Sequence, residues 1–139
     1  MKQLAIAIVG VVLFAACTEG NVFSLEVGDC FQDPGAGVDE VADVKTIDCD
    51  EPHDLEVYAS FDLDDGDFPG ASAVDELAGT GCLLRFADYV GRDYATSSLD
   101  FGALFPTSES WGSGDRDVKC ALFDFGGGTL TGSMKGSGA

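Results

Sequence analysis

His53-Asp-Leu-Glu-Val-Tyr-Ala-Ser-Phe61 is the stretch on which the fold turns. Leu55, Val57, Ala59 and Phe61 alternate with Glu56, Tyr58 and Ser60, the two-residue period of a strand, and this predicts one buried face and one wet face. The acidic run Asp62-Leu-Asp-Asp-Gly-Asp67 ends the strand, and Pro69-Gly70 makes a loop. Ser72 followed by Asp75 has the form of a capping box, which predicts a helix over 73–90 with Gly91 as its stop. Its apolar stripe would be Val74, Leu77, Ala78, Cys82, Leu84, Phe86 and Tyr89. Gly79 and Gly81 either weaken the middle of this helix, by about 1 kcal/mol each relative to alanine, or permit close packing on a sheet.

Outward from this core, Val118-Lys-Cys-Ala-Leu-Phe-Asp-Phe125 reads as another strand, as does Phe101-Gly-Ala-Leu-Phe105 before Pro106. Upstream, Val22 to Val27 and Val41 to Cys49 read as strands of less regular alternation, separated by the Gly28-Asp29 turn and the Pro34-Gly-Ala-Gly37 loop. Gly126-Gly-Gly128 reads as a loop, and Thr131 to Ala139 as a loosely held, glycine-rich tail. No internal repeat is present. The expected class is α+β, a mainly antiparallel sheet of about four to five strands packed on one main helix.

The first residues carry a different signal. Lys2 precedes the apolar run Leu4 to Phe14, and small residues lead to Cys17, the layout of a secretory signal. A bilayer needs roughly 20 apolar residues, and this run is shorter and passes into polar Thr18-Glu-Gly-Asn21. Leu13-Phe-Ala-Ala-Cys17 resembles the bacterial lipobox, in which the cysteine sulfur takes a diacylglyceryl group and cleavage leaves that cysteine first. Phe14 stands where lipoboxes usually carry leucine, and it also argues against ordinary cleavage before Cys17. The expected division is residues 1–16 as lipoprotein signal peptide, 17–21 as lipidated cysteine and short tether, and 22–139 as a single domain. Two acyl chains suffice for stable anchoring. The domain is therefore expected at the extracytoplasmic face of the cell membrane, with the membrane a partner through the lipid.

Seven basic residues face 25 acidic ones, a formal net charge of −18. Such a charge disfavours nucleic acid and anionic lipid surfaces as direct partners and favours cations or a basic partner. Beyond Cys17 stand Cys30, Cys49, Cys82 and Cys120, an even number in an exported chain, which predicts disulfides. Of three pairings, Cys30 with Cys49 and Cys82 with Cys120 is favoured, because the first pair flanks a hairpin-sized segment and the second can tie helix to late strand. Each bridge would stabilise by about 3 to 4 kcal/mol. A zinc site on Cys49 and His53 lacks a second close ligand pair, so neither metal nor cofactor is expected.

His53, Trp111, Asp115 and Arg116 are the candidate binding residues. His53 is the only histidine, and Asp50, Glu51, Asp54 and Glu56 surround it, a setting that suits a charged ring better than a general base. A hydrolase would need to recruit His53 with Ser113 or Ser133, and neither serine lies in a G-x-S-x-G elbow. No catalytic residue is therefore assigned, and His53 is expected to order the turn into its strand. The four carboxylates of Asp62, Asp64, Asp65 and Asp67 suit a hard cation, but their order is not that of an EF-hand, and a solvated acidic loop is expected. A His53-dependent envelope hydrolase and a calcium-binding module on the 62–67 loop stand as the alternatives. In Trp111-Gly-Ser-Gly-Asp-Arg116 the tryptophan either anchors a pocket or covers an end of the core, and core cover is favoured. The glycines of Thr131 to Gly138 lack the strand-loop-helix context of a phosphate cradle.

Val27-Gly-Asp-Cys30, Cys49-Asp-Glu-Pro-His-Asp-Leu-Glu-Val-Tyr58, Phe68-Pro-Gly70, Cys82-x3-Phe86-x2-Tyr89-Val-Gly91, Pro106-x4-Trp111-x2-Gly114-Asp-Arg116, Val118-x-Cys120 and Gly132-Ser-Met-Lys135 follow in this order. Through them the chain resembles the septum-formation domain family of actinobacterial envelope proteins, from about Val22 to Ser137. The resemblance implies a cysteine-bearing extracytoplasmic domain, often attached to a lipid or transmembrane anchor, with a proposed link to septum formation. It brings no catalytic residues. The expected role is a noncatalytic binding or scaffold module whose partner is an envelope protein or cell-wall component.

Overall fold

In the computed structural model, which describes residues 24–33, 35 and 44–139, the two clearest strand sequences pair with each other. The elements are β1 (Cys30–Phe31), β2 (Thr46–Ile47), β3 (Leu55–Asp62), α1 (Ala71–Val90), β4 (Leu99–Leu104), α2 (Ser108–Gly112) and β5 (Asp117–Asp124), with a 3-10 turn over Tyr94–Thr96. The strands form one antiparallel sheet in the order β2-β1-β3-β5-β4, with α1 on one face, the α+β arrangement expected. Disulfides join Cys30 to Cys49 and Cys82 to Cys120, the expected pairing. The first ties β1 to the turn after β2, and the second ties α1 to β5. Their sequence separations of 19 and 38 residues correspond to about 3 and about 4 kcal/mol of lost unfolded-chain entropy. Cys17 and the leader lie outside the described residues, as do Val22 and Phe23. Of the first expected strand, Leu25 to Val27 is not a strand: the Asp29 amide bonds the Glu26 carbonyl, and Leu25 is a buried plug. The second shrinks to Thr46–Ile47, with residues 41–43 not described.

β3 departs from its expected wet face. Glu56 pairs with Leu122 and Val57 with Ala121, but Ala59 then pairs with Cys120, so Tyr58 is the extra residue of a bulge. An extra residue exchanges the two faces of a strand beyond it. Val57 accordingly packs with Leu25, Phe31, Val44 and Ala121 on the side away from α1. Tyr58 and Ala59 both pack with Cys82, Phe86, Val118, Cys120 and Leu122 on the helix side. Both faces of the strand are covered, and Glu56 and Tyr58 are buried.

α1 starts at Ala71 with Gly70 at the cap position, φ 102°, and no side chain caps it, which overturns the Ser72 capping box. The start falls one residue after Gly70, so Ser72 and Asp75 lie inside the helix on exposed positions. Val74, Ala78, Cys82, Phe86 and Tyr89 face the sheet as expected, joined by Gly81 and Val90, whereas Leu77 and Leu84 are exposed. At 100° per residue those two leucines fall away from the line through Val74, Ala78 and Phe86. Close packing holds for one of the two glycines. A Cβ on Gly81 would stand 2.1 Å from Phe61 Cζ, whereas one on Gly79 would meet nothing within 4 Å among the described residues beyond its own helix turn. Arg85 closes this contact from outside, with its guanidinium 4.1 Å from the Phe61 ring centroid and its Nη1 donating to the Gly81 carbonyl at 2.8 Å.

The glycine-rich tail is docked rather than loosely held. Leu130 exchanges two backbone bonds with His53, of 2.9 and 2.7 Å, and the Gly132 amide donates to the Cys49 carbonyl. Further on, the Gly136 and Gly138 amides donate to the Tyr89 and Val90 carbonyls, two of the last four of α1, which an isolated helix would leave unpaired. Gly132, Gly136 and Gly138 all have φ between 66° and 82°, a region open chiefly to glycine, and this lets the tail turn across the helix end. Glu56 fixes the crossing. Its Oε1 accepts from the Tyr89 hydroxyl at 2.7 Å and the Ser133 hydroxyl at 2.6 Å, and its Oε2 accepts from the Met134 amide at 2.7 Å.

Three outcomes test this packing. Gly79→Ala should stabilise by about 0.5–1 kcal/mol through helix propensity, while Gly81→Ala should destabilise by roughly 1–3 kcal/mol through overpacking, both read from urea unfolding. Glu56→Ala should cost roughly 2–5 kcal/mol, since the Tyr89 and Met134 donors lose a buried acceptor, and should speed amide exchange at Gly136 and Gly138. The third is a pH effect. Burial, and then the bond to Glu56, push the Tyr89 phenol up to about 12, and burial pushes Tyr58 higher still. Because the unfolded chain releases these protons near 10, stability should be intact below pH 10 and fall as pH rises toward 12. The urea midpoint across that window, with phenolate absorbance alongside, measures it.

Candidate functional site

The four candidate binding residues fall into two places. Trp111, Asp115 and Arg116 meet the acidic 62–67 loop at one corner, and His53 lies at the turn into β3, bridged to the docked tail.

The corner is built from the end of β3, α2 and the start of β5. Thr107 caps α2 by accepting from the Ser110 amide, and this sets Trp111 over the loop, where its Nε1 donates to the Gly66 carbonyl at 2.9 Å. The Arg116 guanidinium lies 3.8 Å from the centroid of the indole ring, whose edge meets Phe68 at a centroid distance of 5.7 Å. Arg116 Nη1 donates to the Trp111 and Asp115 carbonyls, and Nε stands 3.4 Å from Asp65 Oδ1. Trp111 is 7% exposed, as expected of a core cover. Beside it lies a cleft of about 440 Å³ lined by Asp62, Leu63, Asp65, Gly114, Asp115, Arg116 and Asp117. Asp65 already faces a guanidinium there, and Asp64 and Asp67 do not reach the lining, so the four carboxylates of the loop do not converge.

His53 is fully buried. Its Nδ1 lies 2.9 Å from the Glu51 carbonyl, which can only accept, so Nδ1 carries the proton, and Nε2 has no hydrogen-bond partner among the described residues. The two serines considered with it are engaged elsewhere: Ser133 donates to Glu56, and Ser113 to the Glu109 carbonyl. Donor atoms of Cys30, His53 and Glu56 lie within 4.8 Å of one another. Cys30, however, is spent in its disulfide, and the Glu56 carboxylate already accepts three bonds. The trio is thus a packed structural cluster that orders the turn into β3.

Two features escaped the reading of the sequence. Glu56 sits at a position that alternation assigns to solvent, and its burial follows from the tail folding back over β3. The outer face of α1 presents Leu77, Leu83 and Leu84 at 51%, 46% and 74% exposure; Leu77 and Leu84 carried a signal that pointed inward.

The family model described as "Septum formation" matches residues 26–137. Two curated proteins named "Putative lipoprotein LppN", from Mycobacterium tuberculosis (strain ATCC 25618 / H37Rv) and Mycobacterium bovis (strain ATCC BAA-935 / AF2122/97), are each 31% identical over an alignment of 118 residues that covers 81% of this chain. The chain spans 63% of the length of those relatives. No solved structure matches it. With the matched segment running from Glu26 through the docked tail to Ser137, the chain belongs to the septum-formation family.

Proposed function

We propose that this protein is a noncatalytic binding module of the cell envelope, held at the extracytoplasmic face of the membrane by a diacylglyceryl thioether on Cys17 and serving septum formation. The observation that carries this reading is the pair of disulfides built into the core, with Cys30, Cys82 and Cys120 at 0% exposure. Such bridges form and persist in an oxidising compartment. A lipobox-like Cys17 and relatives whose printed name includes "lipoprotein" support the anchor. Membership of the family supports the link to the septum. The noncatalytic role is supported by His53, the one imidazole of the chain, which is buried with Nδ1 committed to backbone.

The test is cell fractionation with mass spectrometry, followed by imaging. Wild-type protein should sit in the membrane fraction with an acylated Cys17 and its other four cysteines joined as two disulfides, and Cys17→Ala should move it to the soluble extracytoplasmic fraction. A fluorescent fusion should concentrate at the division site of dividing cells. An unmodified N-terminus with four free thiols would overturn the compartment, and a uniform signal through the division cycle would overturn the septal role.

A further inference from the structure

We propose that the outer face of α1 is a docking site for an amphipathic helix of a partner protein, apolar along one stripe and flanked by lysine or arginine side chains. This inference rests on the binding-module reading and names the surface and the chemistry of its partner.

The surface is a seam. Ala73, Leu77, Thr80, Leu84 and Ala87 recur at alternating spacings of four and three along a helix of 20 residues, the heptad pattern by which one helix receives another. Leucine takes one position of each repeat and a small residue takes the other, so a second helix can approach closely between the leucines. Leu77 and Leu84 are 51% and 74% exposed, and Leu83 widens the patch at 46%. The principal elements packed against α1, namely β3, β4 and the Tyr94–Thr96 turn, meet its opposite face. Nothing in the described residues requires leucine on the outside of this helix.

Charge selects the occupant. Exposed Glu76 and Asp88 flank the seam, α1 contains no lysine, and its one arginine, Arg85, is laid over Phe61. In a chain of net charge −18, a second copy would bring like charge against like, and an anionic bilayer would be repelled as well. A basic-flanked helix is both attracted and accommodated. Leu25, near the first described residue, packs on the sheet face opposite α1, so the described start of the chain leaves the seam uncovered.

Photocrosslinking in intact cells tests this. The full-length protein carries p-benzoylphenylalanine in place of Leu77 or Leu84, and, at separate surfaces, in place of Phe125 or Glu109. The expected result is a protein adduct from the two α1 positions and not from the other two. Its crosslinked segment, mapped by mass spectrometry, should have apolar residues at helical spacing with lysine or arginine beside them. Leu84→Glu, with its urea midpoint unchanged, should cut the Leu77 adduct by about tenfold, the effect of roughly 1.4 kcal/mol. Adducts only to lipid, only to a second copy, or to an acidic or non-helical segment would overturn the proposal. Protein adducts from Phe125 or Glu109 alone would overturn this surface while leaving the binding-module reading intact. An absence of protein adducts at all four positions would overturn both.

Discussion

The carboxylate of Glu56 is the point through which the separate parts of this domain hold one another. It projects from the central strand pair into the space between α1 and the tail, and it satisfies a phenol from the helix, together with a hydroxyl and an amide from the tail. A buried carboxylate without partners would be costly. With three donors it becomes a specific knot, because only one placement of the tail brings Ser133 and Met134 to it. The glycines around those residues then make chemical sense: their positive φ lets the chain reach this carboxyl group and go on to bond the otherwise unpaired carbonyls at the end of α1.

The sheet itself is served from both sides. α1 covers one face through Val74, Ala78, Cys82 and Phe86, and the N-terminal segment covers the other through Leu25, Phe31 and Val44. Neither cover is large, and each is fastened covalently, the helix by Cys82 to Cys120 and the N-terminal side by Cys30 to Cys49. A domain of this size buries only about two-thirds of its unfolded surface. Two bridges that restrict the unfolded chain are a natural complement to such a core.

Signals in the sequence are legible where they act locally. Val118 to Asp124 alternates and is a strand, Gly91 stops the helix, and the cysteine pairing follows from which segments can lie side by side. Failures came where a distant segment decides. Tyr58 and Glu56 look solvent-facing until the bulge and the tail are known, and the tail looks loose until its glycines meet the helix end. Ser72 has the chemistry of a cap, but the turn at Gly70 places the helix start ahead of it. At the candidate site, Trp111, Asp115 and Arg116 are neighbours in sequence and in space, whereas no local pattern separates His53 from them. The exposed leucines of α1 were legible as residues but not as a surface, because amphipathicity alone cannot distinguish a core stripe from a docking seam.

The extra residue at Tyr58 gives β3 two consecutive side chains on its helix side. With Tyr58 in place, Val57 belongs to one core cluster and Ala59 to the other, and Ser60 is left to meet Lys119 and Asp117 at the surface. Because the ladder passes directly from Val57–Ala121 to Ala59–Cys120, removing Tyr58 would close the bulge and leave Ser60 and Phe61 on their faces, but it would take from the core the ring that meets Phe86 and the hydroxyl that donates to the Cys82 carbonyl. A strand of unbroken two-residue period could not set both Tyr58 and Ala59 against the helix.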